Sequence, residues 1–120
     1  MKNYRLGEME QKFADLIWEH EPVTSRDLTR LCAQDFNWKR TTTYTMLRRL
    51  CDRGIFQNKN GTVISLMSRD EFLALQGEEF LEESFEGSLP RFIAAFTRRK
   101  KLSDREVQEI QRLIDGYRED

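Results

Sequence analysis

The chain has 120 residues, with 20 Lys/Arg against 21 Asp/Glu for a formal net charge of -1, and 38% hydrophobic against 34% charged residues. That balance excludes a disordered chain and a membrane-embedded one, and no apolar run approaches the ~20 residues of a spanning helix. The length fits one domain, or a small domain followed by an arm.

Six helices and one hairpin are predicted. Helix one covers Glu8 to His20, with Met9, Phe13, Leu16, Ile17 and His20 on one stripe at helical spacing. Pro22 ends it, because the residue before a proline avoids the α region. Helix two opens at Thr24, an N-cap residue, with Asp27 three positions on; Leu28, Leu31 and Cys32 form its apolar face. Helix three runs from Arg40 to Arg53, with Thr43, Met46, Leu47, Leu50 and Cys51 inward. Gly54 stands where a helix end turns left-handed, with Ile55 as the apolar contact behind it.

The period then changes. Ile55–Asn58 and Thr62–Leu66 are β-like runs around Lys59-Asn60-Gly61, and Asn-Gly is a strong hairpin signal. Three helices and a hairpin in this order predict a mainly α fold: a winged helix-turn-helix at 1–67, followed by an all-helical arm at 68–120. In the arm, Ser68 with Glu71 and Ser103 with Glu106 read as capping boxes. Ser88 caps a short helix with Pro90 in its first turn. The last helix carries Val107, Ile110, Leu113, Ile114 and Tyr117 in an amphipathic pattern.

Charge is unevenly spread. Residues 1–67 carry 11 basic against 8 acidic side chains, and residues 68–120 carry 9 against 13. The stretch 39–59 has Lys39, Arg40, Arg48, Arg49, Arg53 and Lys59 against Asp52 alone. Gathered on one face, such charge binds a polyanion even when the whole chain is neutral; dispersed, it is merely solvated.

Helix three has the composition of a DNA-recognition helix. Arg40, Thr41, Thr42, Tyr44, Thr45 and Arg48 crowd its first turns and outer face, and Lys39 precedes them. Arginine pairs bidentately with guanine, and threonine bonds a base or touches a thymine methyl. The run Thr41-Thr42-Thr43-Tyr44 is a poor choice for helix propensity alone. Tyr44 reads either as a DNA contact or as partly buried packing. Thr24 and Ser25 read equally as phosphate ligands or ordinary caps. Lys59, Asn60 and Thr62 form a wing tip that reaches DNA, or a solvated turn.

Phe72, Phe80, Phe85, Phe92, Phe96, Ile110 and Ile114 are an apolar surplus in an arm too small to bury them. They pack back on the first domain or against the same arm of a second copy; the second is expected, with Phe80, Phe92, Phe96, Val107, Ile110, Leu113, Ile114 and Tyr117 as the dimerisation residues. Cys32 and Cys51 read as buried structural thiols, and His20 as a structural helix-end residue. No nucleophile–base pair or metal triad is visible, so no enzyme, metal or cofactor is expected. The N-terminal Met1 to Arg5 run leads straight into charged sequence without an apolar signal core, so the expected location is cytoplasmic.

Leu6-Gly7-Glu8-Met9-Glu10, Leu16-Ile17-Trp18, Trp38, the run Thr42-Thr43-Tyr44-Thr45-Met46-Leu47-Arg48-Arg49-Leu50 and Gly54 resemble the penicillinase-repressor family of winged-helix transcriptional regulators. The resemblance continues through Leu102-Ser103 and the last helix. It implies a dimeric repressor on a pseudo-palindromic operator of double-stranded DNA, controlling antibiotic-resistance or transport genes. The runner-up from fold alone is a winged-helix adaptor that binds proteins and no specific DNA. Family members often carry Ser-Pro where Lys39-Arg40 stands here, and a different residue at Tyr44. The β-lactam-responsive members are cut between Asn and Phe by a membrane sensor-protease; the aligned bond here is Ala95–Phe96, without the Asn. Copper-responsive members carry C-terminal Cys-x-Cys pairs, and this chain has no cysteine after Cys51.

Overall fold

A computed structural model describes residues 4–118. The elements run α1 (Glu8–His20), β1 (Val23–Thr24), α2 (Ser25–Phe36), α3 (Arg40–Asp52), β2 (Phe56–Lys59), β3 (Thr62–Ser65), α4 (Arg69–Phe85), α5 (Leu89–Arg99) and α6 (Asp104–Gly116). This is a winged helix with a helical arm. The chain divides into two compact units, Met1–Glu79 and Phe80–Asp120.

In the first unit, α1 buries Phe13, Ala14, Leu16 and Ile17 on the expected stripe. His20 departs from that stripe. It is exposed, with Nδ1 2.9 Å from the Leu16 carbonyl, so it tidies the helix end rather than filling the core. Thr24 caps α2 by accepting the Asp27 N–H at 3.0 Å. Residues Val23 and Thr24 also form the short strand β1, which pairs with β3. The sheet is antiparallel in the order β1-β3-β2. Lys59 pairs with Thr62, so it belongs to β2 and the turn is Asn60-Gly61 alone. Both turn residues have positive φ, 53° and 86°, as a two-residue primed turn requires.

α3 ends as its sequence predicts. Gly54 has φ 80°, its N–H donates to the Cys51 carbonyl, and the Ile55 N–H donates to Leu50. Thr43, Leu47 and Leu50 are buried, whereas Met46 and Cys51 are half-buried. The core joins these to Phe13, Ile17, Leu28, Ile55, Phe56 and Val63. Trp18 stands at its edge, its ring centroid 5.1 Å from that of Phe56 and 5.6 Å from that of Phe72. Its indole N–H donates to the Met67 carbonyl at 3.1 Å. Phe72 therefore does not belong to the arm's apolar surplus. One turn into α4, it is fully buried against Trp18 and Tyr4 in the first core. The Ser68 and Glu71 capping box that starts α4 is formed.

In the second unit, Ser88 caps α5 and Ser103 with Glu106 boxes α6. Phe80, Phe85, Phe92 and Phe96 form a run of ring contacts with centroids 5.4–6.0 Å apart. None of the described residues from 80 onward is buried. Leu113 is 73% exposed, Ile114 60% and Tyr117 89%.

Candidate nucleic-acid interface

α3 begins without the usual electrostatic complement. The free N–H groups of a helix start carry partial positive charge, which an acidic residue or a side-chain cap normally offsets. α1 has Glu8 and Glu10 there, α2 has Asp27, α4 has Asp70 and Glu71, and α6 has Asp104 and Glu106. α5 has its Ser88 cap. α3 has neither: its N-cap is Lys39, no side chain caps it, and its first turn has no acidic residue. Two cations and a helix N-terminus are concentrated where a folded monomer gains least from them. A helix start of this kind is suited to an anion such as phosphate.

The cations nearby are open. Lys39, Arg40, Arg48 and Lys59 are exposed, and among the described residues none forms an ion pair with a carboxylate. Thr41, Thr42 and Thr45 are exposed beside them. The Thr45 hydroxyl donates to the Thr41 carbonyl at 2.9 Å. This spends its proton on the helix and leaves its lone pairs and methyl outward, suited to an exocyclic amino group or a thymine methyl.

Tyr44 links three elements. It is half-buried, and its hydroxyl lies 3.4 Å from the Ser25 hydroxyl at the head of α2. The Arg40 guanidinium lies 5.5 Å from the ring centroid. The Ser25 hydrogen bond pulls the Tyr44 phenol below its ordinary pKa, burial opposes it, and Arg40 and then Thr29 add to the lowering. The Ser25 N–H donates to the Gly61 carbonyl at 2.8 Å, tying the head of α2 to the wing turn. That backbone donor is thus occupied, as is the Thr24 hydroxyl in its cap; the half-buried Ser25 hydroxyl accepts from Tyr44 and keeps its own proton to donate.

Between α3 and the wing lies a groove of about 490 Å³ lined by Tyr44, Leu47, Arg48, Cys51, Phe56, Gln57, Asn58 and Leu66. No carboxylate lines it. Burial pushes the Cys51 thiol up, with a backbone hydrogen bond from Asn58 acting against it. Burial likewise pushes Cys32 up to about 11, so both thiols are protonated at neutral pH and poor nucleophiles. Asn58 also accepts the Gly61 N–H at 3.1 Å, which holds the turn that presents Lys59, Asn60 and Thr62, all exposed.

Arg40, Tyr44 and Arg48 share one stripe of α3, and Thr41, Thr42 and Thr45 lie beside it on the exposed side. Two further residues join them without having been singled out from sequence. Gln57 lines the groove on β2, and Arg26 is exposed next to Ser25 at the head of α2. The signal for Arg26 was its place one residue past a capped start; Gln57 has none short of knowing which way β2 faces. The expected arm residues are exposed or half-buried: Phe80, Phe96, Val107, Leu113, Ile114 and Tyr117 are exposed, and Phe92 and Ile110 half-buried. Ala95 and Phe96 lie within α5.

Among the described residues, no cluster of three or more metal-ligating side chains occurs and no helix is long and apolar enough to cross a membrane. The family model for the penicillinase repressor matches residues 6–116. The penicillinase repressor of Bacillus licheniformis is 20% identical over 118 residues, spanning 95% of this chain and 92% of that protein.

Proposed function

The chain belongs to the penicillinase repressor family, and we propose that it is a dimeric, sequence-specific DNA-binding repressor acting in the cytoplasm. α3 lies in the major groove of a pseudo-palindromic operator. Arg40, Thr41, Thr42, Thr45 and Arg48 face bases and sugar–phosphate there, the half-buried Tyr44 stands behind Arg40 in the same interface, and Lys39 and Ser25 take phosphates. Lys59, Asn60 and Thr62 bring the wing to the neighbouring backbone. The observation that carries this reading is the head of α3, uncapped, free of carboxylates and flanked by Lys39 and Arg40.

The arm pairs with that of a second copy through Phe80, Phe92, Phe96, Val107, Ile110, Leu113, Ile114 and Tyr117, in support of which none of the described residues from 80 onward is buried. A two-fold protein then matches a two-fold operator, with half-sites spaced by whole helical turns. The regulated genes are resistance or transport genes. Release by a membrane sensor-protease at Ala95–Phe96 requires α5 to unwind first, because that bond is inside a helix.

An anisotropy titration of labelled duplex tests the core of this reading. DNA from upstream of the protein's own gene is compared with a scrambled duplex at two salt concentrations. Expected is tight binding that prefers the native DNA and weakens with salt as counterions are released. Arg48→Ala is expected to cost roughly 1–3 kcal/mol on the native duplex if it reads a base. Binding that is weak and equal on both duplexes, confirmed by a genome-fragment selection that enriches nothing, favours a protein-binding adaptor instead.

A further inference from the structure

Lys39 and Arg40 are neighbours at the head of α3, and only one of them is held. Among the described residues, no contact fixes the Lys39 ammonium. The Arg40 guanidinium lies over the Tyr44 ring, 5.5 Å from its centroid, one helical turn further along. The ring is itself fixed. It is half-buried between α3 and the groove to the wing, and its hydroxyl sits 3.4 Å from Ser25 Oγ. Ser25 in turn is bonded through its N–H to Gly61 of the wing turn at 2.8 Å. A series of fixed points thus runs from the wing, through the head of α2, to a single arginine on the outer face of α3.

A phosphate contact needs no such support. A cation near a phosphate tolerates many rotamers, because the attraction is close to that of a point charge. Bidentate pairing with guanine O6 and N7 is different: it needs the planar fork at one angle and depth. No carboxylate engages Arg40, so its outward N–H groups remain for a ligand while the ring restricts how the plane lies. Resting on the DNA-binding reading above, we infer that Tyr44 is a positioning residue for sequence reading: it orients Arg40 as a guanine-reading fork at the first turn of α3. Tyr44 is then specificity-determining without itself touching a base.

The test selects bound duplexes from a random pool with the full chain, using wild type, Tyr44→Phe, Tyr44→Leu and Arg40→Lys, with thermal melts of each. Wild type is expected to enrich one guanine in each half-site that depends on Arg40. In Tyr44→Leu and Arg40→Lys, enrichment of that guanine falls about tenfold, while the other motif positions, the salt slope and the melting temperature hold. Tyr44→Phe keeps the ring but loses the hydroxyl that meets Ser25, and its loss is expected to fall between wild type and Tyr44→Leu. An unchanged motif in Tyr44→Leu overturns the inference. So does an even flattening of every position with a lowered melting temperature, which is structural damage. A loss in Tyr44→Phe larger than in Tyr44→Leu also overturns it, because the ring would then contribute nothing to holding Arg40. A wild type that enriches no motif defeats the DNA-binding reading itself, and shows it before any variant is compared.

Discussion

Phe13 and Phe80 each sit on the apolar side of an amphipathic helix. Phe13 is wholly buried, within a core fed by three helices, the wing and the first turns of α4. Phe80 is half exposed, and its ring packs against those of Phe85 and Phe92 in its own unit. Every buried residue among those described lies between Phe13 and Phe72. Similar side chains thus do different work. In the first unit they are used up in making one chain fold. In the second they remain exposed or half-buried. Amphipathic patterning reveals that a helix has an apolar side, and leaves open whether its own chain covers it.

The sharpest way to break this contrast is a cavity in the first core. Phe13→Ala is expected to cost about 3–5 kcal/mol in denaturant unfolding, since a fully buried ring leaves a void the sheet and helices fill poorly. A loss under about 1 kcal/mol would mean that this core is less self-sufficient than its burial implies. Next comes the arm. On the proposed dimer, Leu113→Asp places a charge in the pairing surface and is expected to weaken association by roughly 2–4 kcal/mol, seen as a shift to monomer in sedimentation. An unchanged mass would put the pairing surface elsewhere.

Cys32 provides a smaller, pH-dependent test of the first core. Its pKa is raised to about 11 by burial, with the Thr43 hydroxyl acting against the rise and Asp35 adding to it. The folded state therefore holds this proton more tightly than the unfolded chain does. The resulting stability is complete below the ordinary thiol pKa and is lost as pH climbs towards 11. Against a Cys32→Ala reference, wild type should lose on the order of 2 kcal/mol across that window. Parallel curves would show a thiol in contact with water. The smallest effect belongs to Arg69, whose Nε meets Asp15 at 3.0 Å with both side chains partly in water. Arg69→Ala should change unfolding by less than ~1 kcal/mol, because exposed pairs are screened and entropically costly.

Much of the fold was readable where local chemistry decides it. Pro22 and Gly54 mark helix ends, the capping boxes at Ser68 and Ser103 mark starts, and Asn60-Gly61 marks the turn. Each of these acts within a few residues. What escaped was long-range. β1 is two residues long and has no period; it exists because Val23 meets Val63 forty residues away. Phe72 fits an arm stripe as well as it fits a core, and only the position of Trp18 and Tyr4 decides. At the candidate interface the residue types on α3 were legible. That Tyr44 packs towards Ser25 was not, because that contact joins two helices across 19 positions of sequence.

The packing of the two tryptophans gives the molecule a built-in optical asymmetry. Trp38 lies 5.5 Å from Phe13 and 5.0 Å from Phe36 by ring centroids, and Trp18 is held among Phe56, Phe72 and the Met67 carbonyl. The chain has no third. Indole emission from the intact protein therefore speaks for the first unit alone, while far-ultraviolet ellipticity counts the helices of both. Recorded together through a denaturant gradient, the two signals separate the melting of the self-sufficient unit from that of the arm, without a label or a truncated chain.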